Sequence, residues 1–234
     1  MAGDLDYCAG QIRTHDEDLG LSLRYCPAAD QDRLAAILAI QIELRRIPSI
    51  VSEPPLGEIR LQWWREALDE IVAGRPARAH PAVSLLAACG GFDAGARALA
   101  ERLIDARARL LYEPQFSSLD DLRNFLKDAE APLALLSIHA ASDIAAEDAA
   151  MLGEAYALAR FAPVLAPALA REAAAEASRL LSKTAGRGFQ LSPADAGRLA
   201  FLSLTRGYAG RADGRQWPVL KRLAMVRTIL TGRL

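Results

Sequence analysis

Apolar residues recur at helical spacing along nearly all of the 234 residues, and strand-like alternation is almost absent. That pattern confines the chain to helix packed on helix. Asp30 to Ile47 reads as one helix, with Leu34, Ile37, Leu38 and Ile40 to Ile42 on its apolar side and Pro48 as its stop. Gly57 to Ala73 reads as a second, with Ile59, Trp63, Leu68 and Ile71 towards one side and Gly74 suited to the position after its end. Phe92 to Tyr112 is a third, wetter along Glu101, Arg102, Asp105 and Arg109. Ser118 with Asp121 forms a capping pair opening a fourth, and Pro132 starts or kinks the next. Ala145 to Ser182 is helical but for breaks at Pro163 and Pro167, and Ser192-Pro193 and Pro218 open two last helices. The sum is an all-α domain of about eight to ten helices, with no linker or repeat to divide residues 1–234.

Composition agrees and narrows the function. Hydrophobic residues make up 52% and aromatics 6%, with Ala and Leu dominant, a mix that favours helix over sheet. A net charge of -1 asks for no polyanion, so no nucleic-acid partner is expected. The charge is uneven, however: from Arg198 onward there are eight Lys/Arg and one acid, Asp213. Such an end suits an anionic membrane surface or an acidic partner as well as a solvated helix face. Cys8, Cys26 and Cys89 are scattered, as are His15, His80 and His139, which argues against a disulfide framework or zinc site. The start, "MAGDLDYCAG", lacks the basic and apolar runs of a signal peptide, and no apolar run reaches about 18 residues. The expectation is a cytoplasmic protein, soluble or peripheral on the inner face of the cytoplasmic membrane.

Three stretches carry a family resemblance. "DQDRLAAILAIQIEL" leads into "GEIRLQWWREALDEIVAGRPARAHPAV", and "LIDARARLLYEPQFSSLDDLRNFLKDAEAPLALLSI" follows. With "LGEAYAL" at Leu152 to Leu158 and the terminal "TGRL", these resemble the squalene/phytoene synthase family. The resemblance implies an isoprenoid-synthase bundle around a central cavity. It also implies head-to-head joining of prenyl diphosphates on Mg²⁺ held by two Asp-rich motifs. The late part looks truncated, and the family's "Y-L-P" segment is missing.

The chemistry those motifs supply is absent from the matching positions. Carboxylates four apart share one helix face and can hold Mg²⁺ together. Matching Glu43-Leu44 to the family's "E-L" puts Arg45 and Ser49 where the first pair belongs, with Arg46 beside them. A guanidinium cannot ligate a cation. The second motif, D-x-x-E-D, counts from Gly153 and Ala155 to Val164, Pro167 and Ala168. The acidic "SDIAAED", Asp143 to Asp148, precedes its helix, so Ser142 or Asp143 reads as an N-cap with Glu147 and Asp148 in the first turn.

With both motifs lost, neither a catalytic residue nor a metal is expected, and no cofactor unless retained activity calls for Mg²⁺. The losses resemble a branch of the family that includes a mitochondrial respiratory complex I assembly factor and its bacterial relatives. Val51-Ser52-Glu53 followed by Gly57, Arg60, Gln62 and Trp64 fits that branch. It implies an assembly or interaction protein whose partners are complex I subunits or a family paralogue, meeting them through the basic C-terminal helices or the Pro48 to Pro55 loop. The alternative is a divergent prenyltransferase or prenyl-lipid-binding protein. It would grip the diphosphate with arginines, from Arg24 and Tyr25, Arg45, Arg46, Arg60 and Arg65.

The remaining candidates read as structural. Trp63 and Trp64 point about 100° apart on a helix, so one belongs to the core and the other under a loop or at an interface. His139 reads as a hydrogen-bonded core histidine, and Glu66, Asp69 and Glu70 as a cluster paired with Arg65 or solvated. Gly186 to Pro193 lacks phosphate-loop spacing and is a connector.

Overall fold

The computed structural model describes residues 2–186, 188–211 and 216–234. Arg187 of the connector, and Asp213 and Arg215 of the basic end, lie outside the described residues. The described residues form thirteen α-helices and three short 3₁₀ turns, with no strand among them. In order the helices are α1 (Ala2–His15), α2 (Glu17–Leu23), α3 (Gln31–Ile50), α4 (Pro54–Val72), α5 (Pro81–Cys89) and α6 (Ala94–Leu110). There follow α7 (Leu119–Ala129), α8 (Ala131–Ile138), α9 (Ala146–Phe161) and α10 (Pro167–Gly186). Last come α11 (Pro193–Arg198), α12 (Thr205–Ala209) and α13 (Pro218–Thr231).

Local chemistry sets most of these starts. Asp16, Asp93, Ser118 and Ser192 each accept a backbone N–H three residues on, at 2.9–3.1 Å. Proline occupies the first turn of α4, α5, α8, α11 and α13, where its missing N–H costs nothing. Gly74 follows α4 at φ 65°, left-handed as expected.

α3 packs against α1, α4, α5, α6 and α8, and α9 against α7, α8, α10 and α12. Both are buried on more than one side, as helices in the middle of a bundle must be. α9 meets α8 so closely that a Cβ on Gly153 would lie 2.9 Å from the Ala131 carbonyl oxygen. Buried side chains from Cys8 to Met225 join in one apolar core.

Several expectations need correcting. Proline 48 does not stop α3, which runs on to Ile50. The ring sits in the last turn, where it forfeits a single backbone bond. α4 already starts at Pro54, so the expected Pro48 to Pro55 loop shrinks to Val51 to Glu53. The inner face of α4 is Gly57, Leu61, Trp64 and Leu68, and Ile59 is 65% exposed. α9 starts at Ala146, capped by neither Ser142 nor Asp143; Ser142 Oγ accepts the Ile144 N–H in a turn before it. More helices form than expected because prolines and short one-turn helices subdivide the last third.

Candidate functional site

At the middle of the bundle two helices each present a pair of polar side chains four residues apart. α3 offers Gln41 and Arg45, and α9 offers Tyr156 and Arg160. The carboxylates they meet come from helix junctions. Asp16, between α1 and α2, has a fully buried side chain; Glu130, between α7 and α8, is 7% exposed. A seventh member, Arg107 of α6, is 1% exposed.

These groups form one continuous ion lattice. Arg45 spans the two acids, donating to Asp16 Oδ2 at 2.8 Å and to Glu130 Oε2 at 2.7 Å. Arg160 donates to the same Asp16 Oδ2 at 2.7 Å and to the Tyr156 hydroxyl at 3.1 Å. Arg107 donates to Glu130 Oε1 at 2.5 Å, and Gln41 Nε2 to Oε2 at 3.1 Å. Asp16 Oδ1 accepts the Leu19 N–H at 3.1 Å, so the group that caps α2 also ends the lattice.

Electrostatics agree with the geometry. Burial raises the Asp16 carboxyl, but Arg160 and Arg45 outweigh it and hold it below the ordinary value of 3.8. Glu130 is likewise raised by burial and lowered further by Arg45 and Arg107, ending below 4.5. Three guanidiniums share two carboxylates, and the surplus positive charge faces Asp18, which also acts on Arg160. Asp18 in turn accepts from the Tyr208 hydroxyl and pairs with Lys221 Nζ at 2.8 Å, carrying the connection into α12 and α13.

Magnesium does not suit this donor set. Each carboxylate oxygen of Asp16 and Glu130 already accepts from a guanidinium, an amide or a backbone N–H. Of the side chains aimed at them from α3 and α9, the two guanidiniums cannot ligate a cation, which leaves only the Gln41 amide oxygen and the Tyr156 hydroxyl as neutral oxygens. Among the described residues no group of three or more His, Cys, Asp or Glu side chains is placed to hold a metal ion.

The residues expected at the site fall in several places. Arg45 alone stands at the centre. Ser49, one turn on, is exposed and its Oγ donates to the Arg46 carbonyl at 2.8 Å. Val164, Pro167 and Ala168 are exposed at the α9–α10 turn; the α9 residues facing the centre lie one turn earlier. Arg46 sits 3.9 Å from Glu43, Arg24 and Arg60 are exposed, and Tyr25 is half-buried with its carbonyl against Gly197. Arg65 binds Glu101 at 2.7 Å and Asp105 at 2.6 Å on the outside of α6.

Elsewhere the pairings differ from expectation. Trp63 and Trp64 do converge: both rings lie edge-on to His80, with centroids 5.9 and 5.0 Å away, and line one shallow hollow with Arg60 and Glu43. His139 is no core residue but a half-buried C-cap whose Nε2 lies 2.8 Å from Asp93 Oδ1. Glu66 and Glu70 pair with Arg78, and Asp69 with Arg97, while Arg65 turns to α6.

Sequence reasoning missed Asp16, Glu130, Arg107 and Arg160. Arg107 was open to discovery, because Ala100, Leu103, Ile104 and Arg107 follow one buried stripe of α6. Glu130 carried no such signal, since its place is set by how α7 meets α8.

The sequence pattern of the squalene/phytoene synthase family matches residues 12–173, more than half of the chain. A helical bundle with a polar centre between α3 and α9 is thus a squalene/phytoene synthase scaffold, and the chain belongs to that family. Its fold is similar to that of a crystallised dehydrosqualene synthase, with a TM-score of 0.74 at 13% identity, covering 98% of this chain and 96% of the other. Squalene synthase HpnC from Alicyclobacillus acidocaldarius is also similar, with a TM-score of 0.65 at 14% identity and coverages of 97% and 93%. In sequence the chain is similar to the mouse protein "NADH dehydrogenase (ubiquinone) complex I, assembly factor 6", 27% identical over 132 residues, 56% of this chain. The rat protein of that name is 27% identical over 146 residues, 62% of this chain. The chain spans 39% of the mouse protein's length and 44% of the rat protein's.

Proposed function

We propose that this chain is a squalene/phytoene synthase-like protein that no longer transfers prenyl groups and acts instead in assembly, with complex I components as its partners. The observation that carries the reading is the lattice itself: Arg45 and Arg160 close on Asp16 from the two helices that face the centre. Ionising an allylic diphosphate requires its developing negative charge to be neutralised, a task worth several kcal/mol when metal ions perform it. Here the cations are committed to internal carboxylates, and no metal cofactor is proposed. The similarity to assembly factor 6 of four mammals, mouse, cattle, rat and human, supports the choice of partner. A peripheral position on the inner face of the membrane is part of the proposal.

The prenyl-diphosphate-binding alternative gains little. Of the arginines such a grip would use, Arg45 is already bound to Asp16 and Glu130, and Arg65 to Glu101 and Asp105. A tagged chain expressed in its own cells tests the assembly reading. Complex I subunits are expected to co-purify above an untagged control, and deletion is expected to lower NADH dehydrogenase activity. No enrichment of those subunits together with unchanged activity on deletion would overturn it.

A further inference from the structure

α13 carries an apolar face that none of the described residues covers. Val219, Leu223, Val226 and Leu230 follow i, i+4, i+7, i+11 spacing and share a strip about 60° wide. Leu223 is 59% exposed and Leu230 79%, while the opposite side of the helix, through Lys221, Met225 and Thr228, is buried. Trp217, 71% exposed, stands at the entrance to the same helix. An exposed apolar strip of this length marks a surface built to be covered.

Charge decides what covers it. Arg222 and Arg227, both exposed, lie about 70° to either side of the strip's centre. Among described residues 216–234 there is no acid at all. A second copy docked symmetrically would set these arginines against their own equivalents with no carboxylate to separate them. An anionic bilayer answers both halves of the pattern, since arginine stems lie along apolar surface while their heads reach lipid phosphates. Next to the strip, Arg206, Arg227 and Arg233 rim a hollow of about 350 Å³ with Leu181 and Phe189 in its wall. Arg206 Nη2 donates there to the Leu234 carbonyl oxygen at 3.2 Å, and among the described residues no acidic side chain lines the hollow.

We propose that α13 docks flat on an anionic phospholipid bilayer, with its apolar strip at the boundary between headgroups and acyl chains and Arg222 and Arg227 on lipid phosphates. The strip lies on the side of α13 opposite Lys221 and the lattice; the proposal deepens the peripheral position given above and stands whether or not complex I is the partner. Lys221 plays no part in it, being turned inward to Asp18 and Glu17.

Co-sedimentation of the full chain with vesicles tests this. Binding to mixed phosphatidylcholine–phosphatidylglycerol vesicles is expected to be at least about tenfold tighter than to phosphatidylcholine alone and to weaken at high salt. The pair Leu223→Ser with Leu230→Ser should lose at least about tenfold of that binding while keeping wild-type helix content, since both side chains are exposed. Arg222→Ala with Arg227→Ala should erase the preference for anionic vesicles. Absence of binding, equal binding to both vesicle types, or unaltered binding by the serine pair would each overturn the proposal. So would a dimer or a protein complex that the serine pair dissolves in a chain that ignores vesicles.

Discussion

Replacing Glu130 by alanine is expected to destabilise the fold by about 3–5 kcal/mol, because a fully buried arginine loses its carboxylate. Arg107 is 1% exposed and its charge has no route to water. Burial already lowers its guanidinium from the ordinary value, with Glu130 the main opposing influence. Arg45 and Gln41 lose an acceptor in the same substitution. For a chain of this size the loss corresponds to roughly 10 °C in Tm. Pairing Glu130→Leu with Arg107→Met separates the causes. If the damage is an unpaired buried charge, the double variant recovers most of it, since apolar replacements of buried ion pairs are often neutral or better. A loss below about 1 kcal/mol in Glu130→Ala would mean that the lattice is solvated and structurally idle.

Arg45→Asp is expected to be as severe, and its pH dependence should run opposite to that of the wild type. The substitution removes both bridges of Arg45 and sets a third carboxylate near Asp16 and Glu130. In the wild type those two acids are held below their ordinary values of 3.8 and 4.5. Their contribution is therefore present above about pH 4.5 and lost as pH falls through the lowered values. In the variant, crowded carboxylates raise at least one folded-state value, so that acid binds its proton more readily folded than unfolded. Stability should then increase as pH drops from 7 to 5, where the wild type stays level. Thermal melts across that range distinguish the two. A variant that melts within a few degrees of wild type at pH 7, with no gain on acidification, would contradict the lattice as described.

Much of the fold was legible because its signals are local. The cap residues Ser118 and Ser192 and the helix-opening prolines 132, 193 and 218 stand where the sequence places them. The centre was only half legible. Position 45 could be found by spacing along one helix, and so could the lack of an acid at 45 and 49. Asp16 and Glu130 were hidden because junction residues acquire their meaning from how separate helices meet, which no periodicity records. Val164, Pro167 and Ala168, where the second motif would fall, lie past the end of α9 at Phe161 and are exposed, which no count along the sequence could reveal. His139 and Asp93, 46 residues apart, show the same limit at the surface.

The measurement that tests the central claim most directly is release of diphosphate by the purified chain. It is supplied with farnesyl or geranylgeranyl diphosphate and Mg²⁺ or Mn²⁺. With Arg45 and Arg160 bound to Asp16, and Arg107 to Glu130, release is expected to match the protein-free control with either metal. Metal-dependent release above that control would mean that the lattice opens to admit metal and substrate, and would contradict the account.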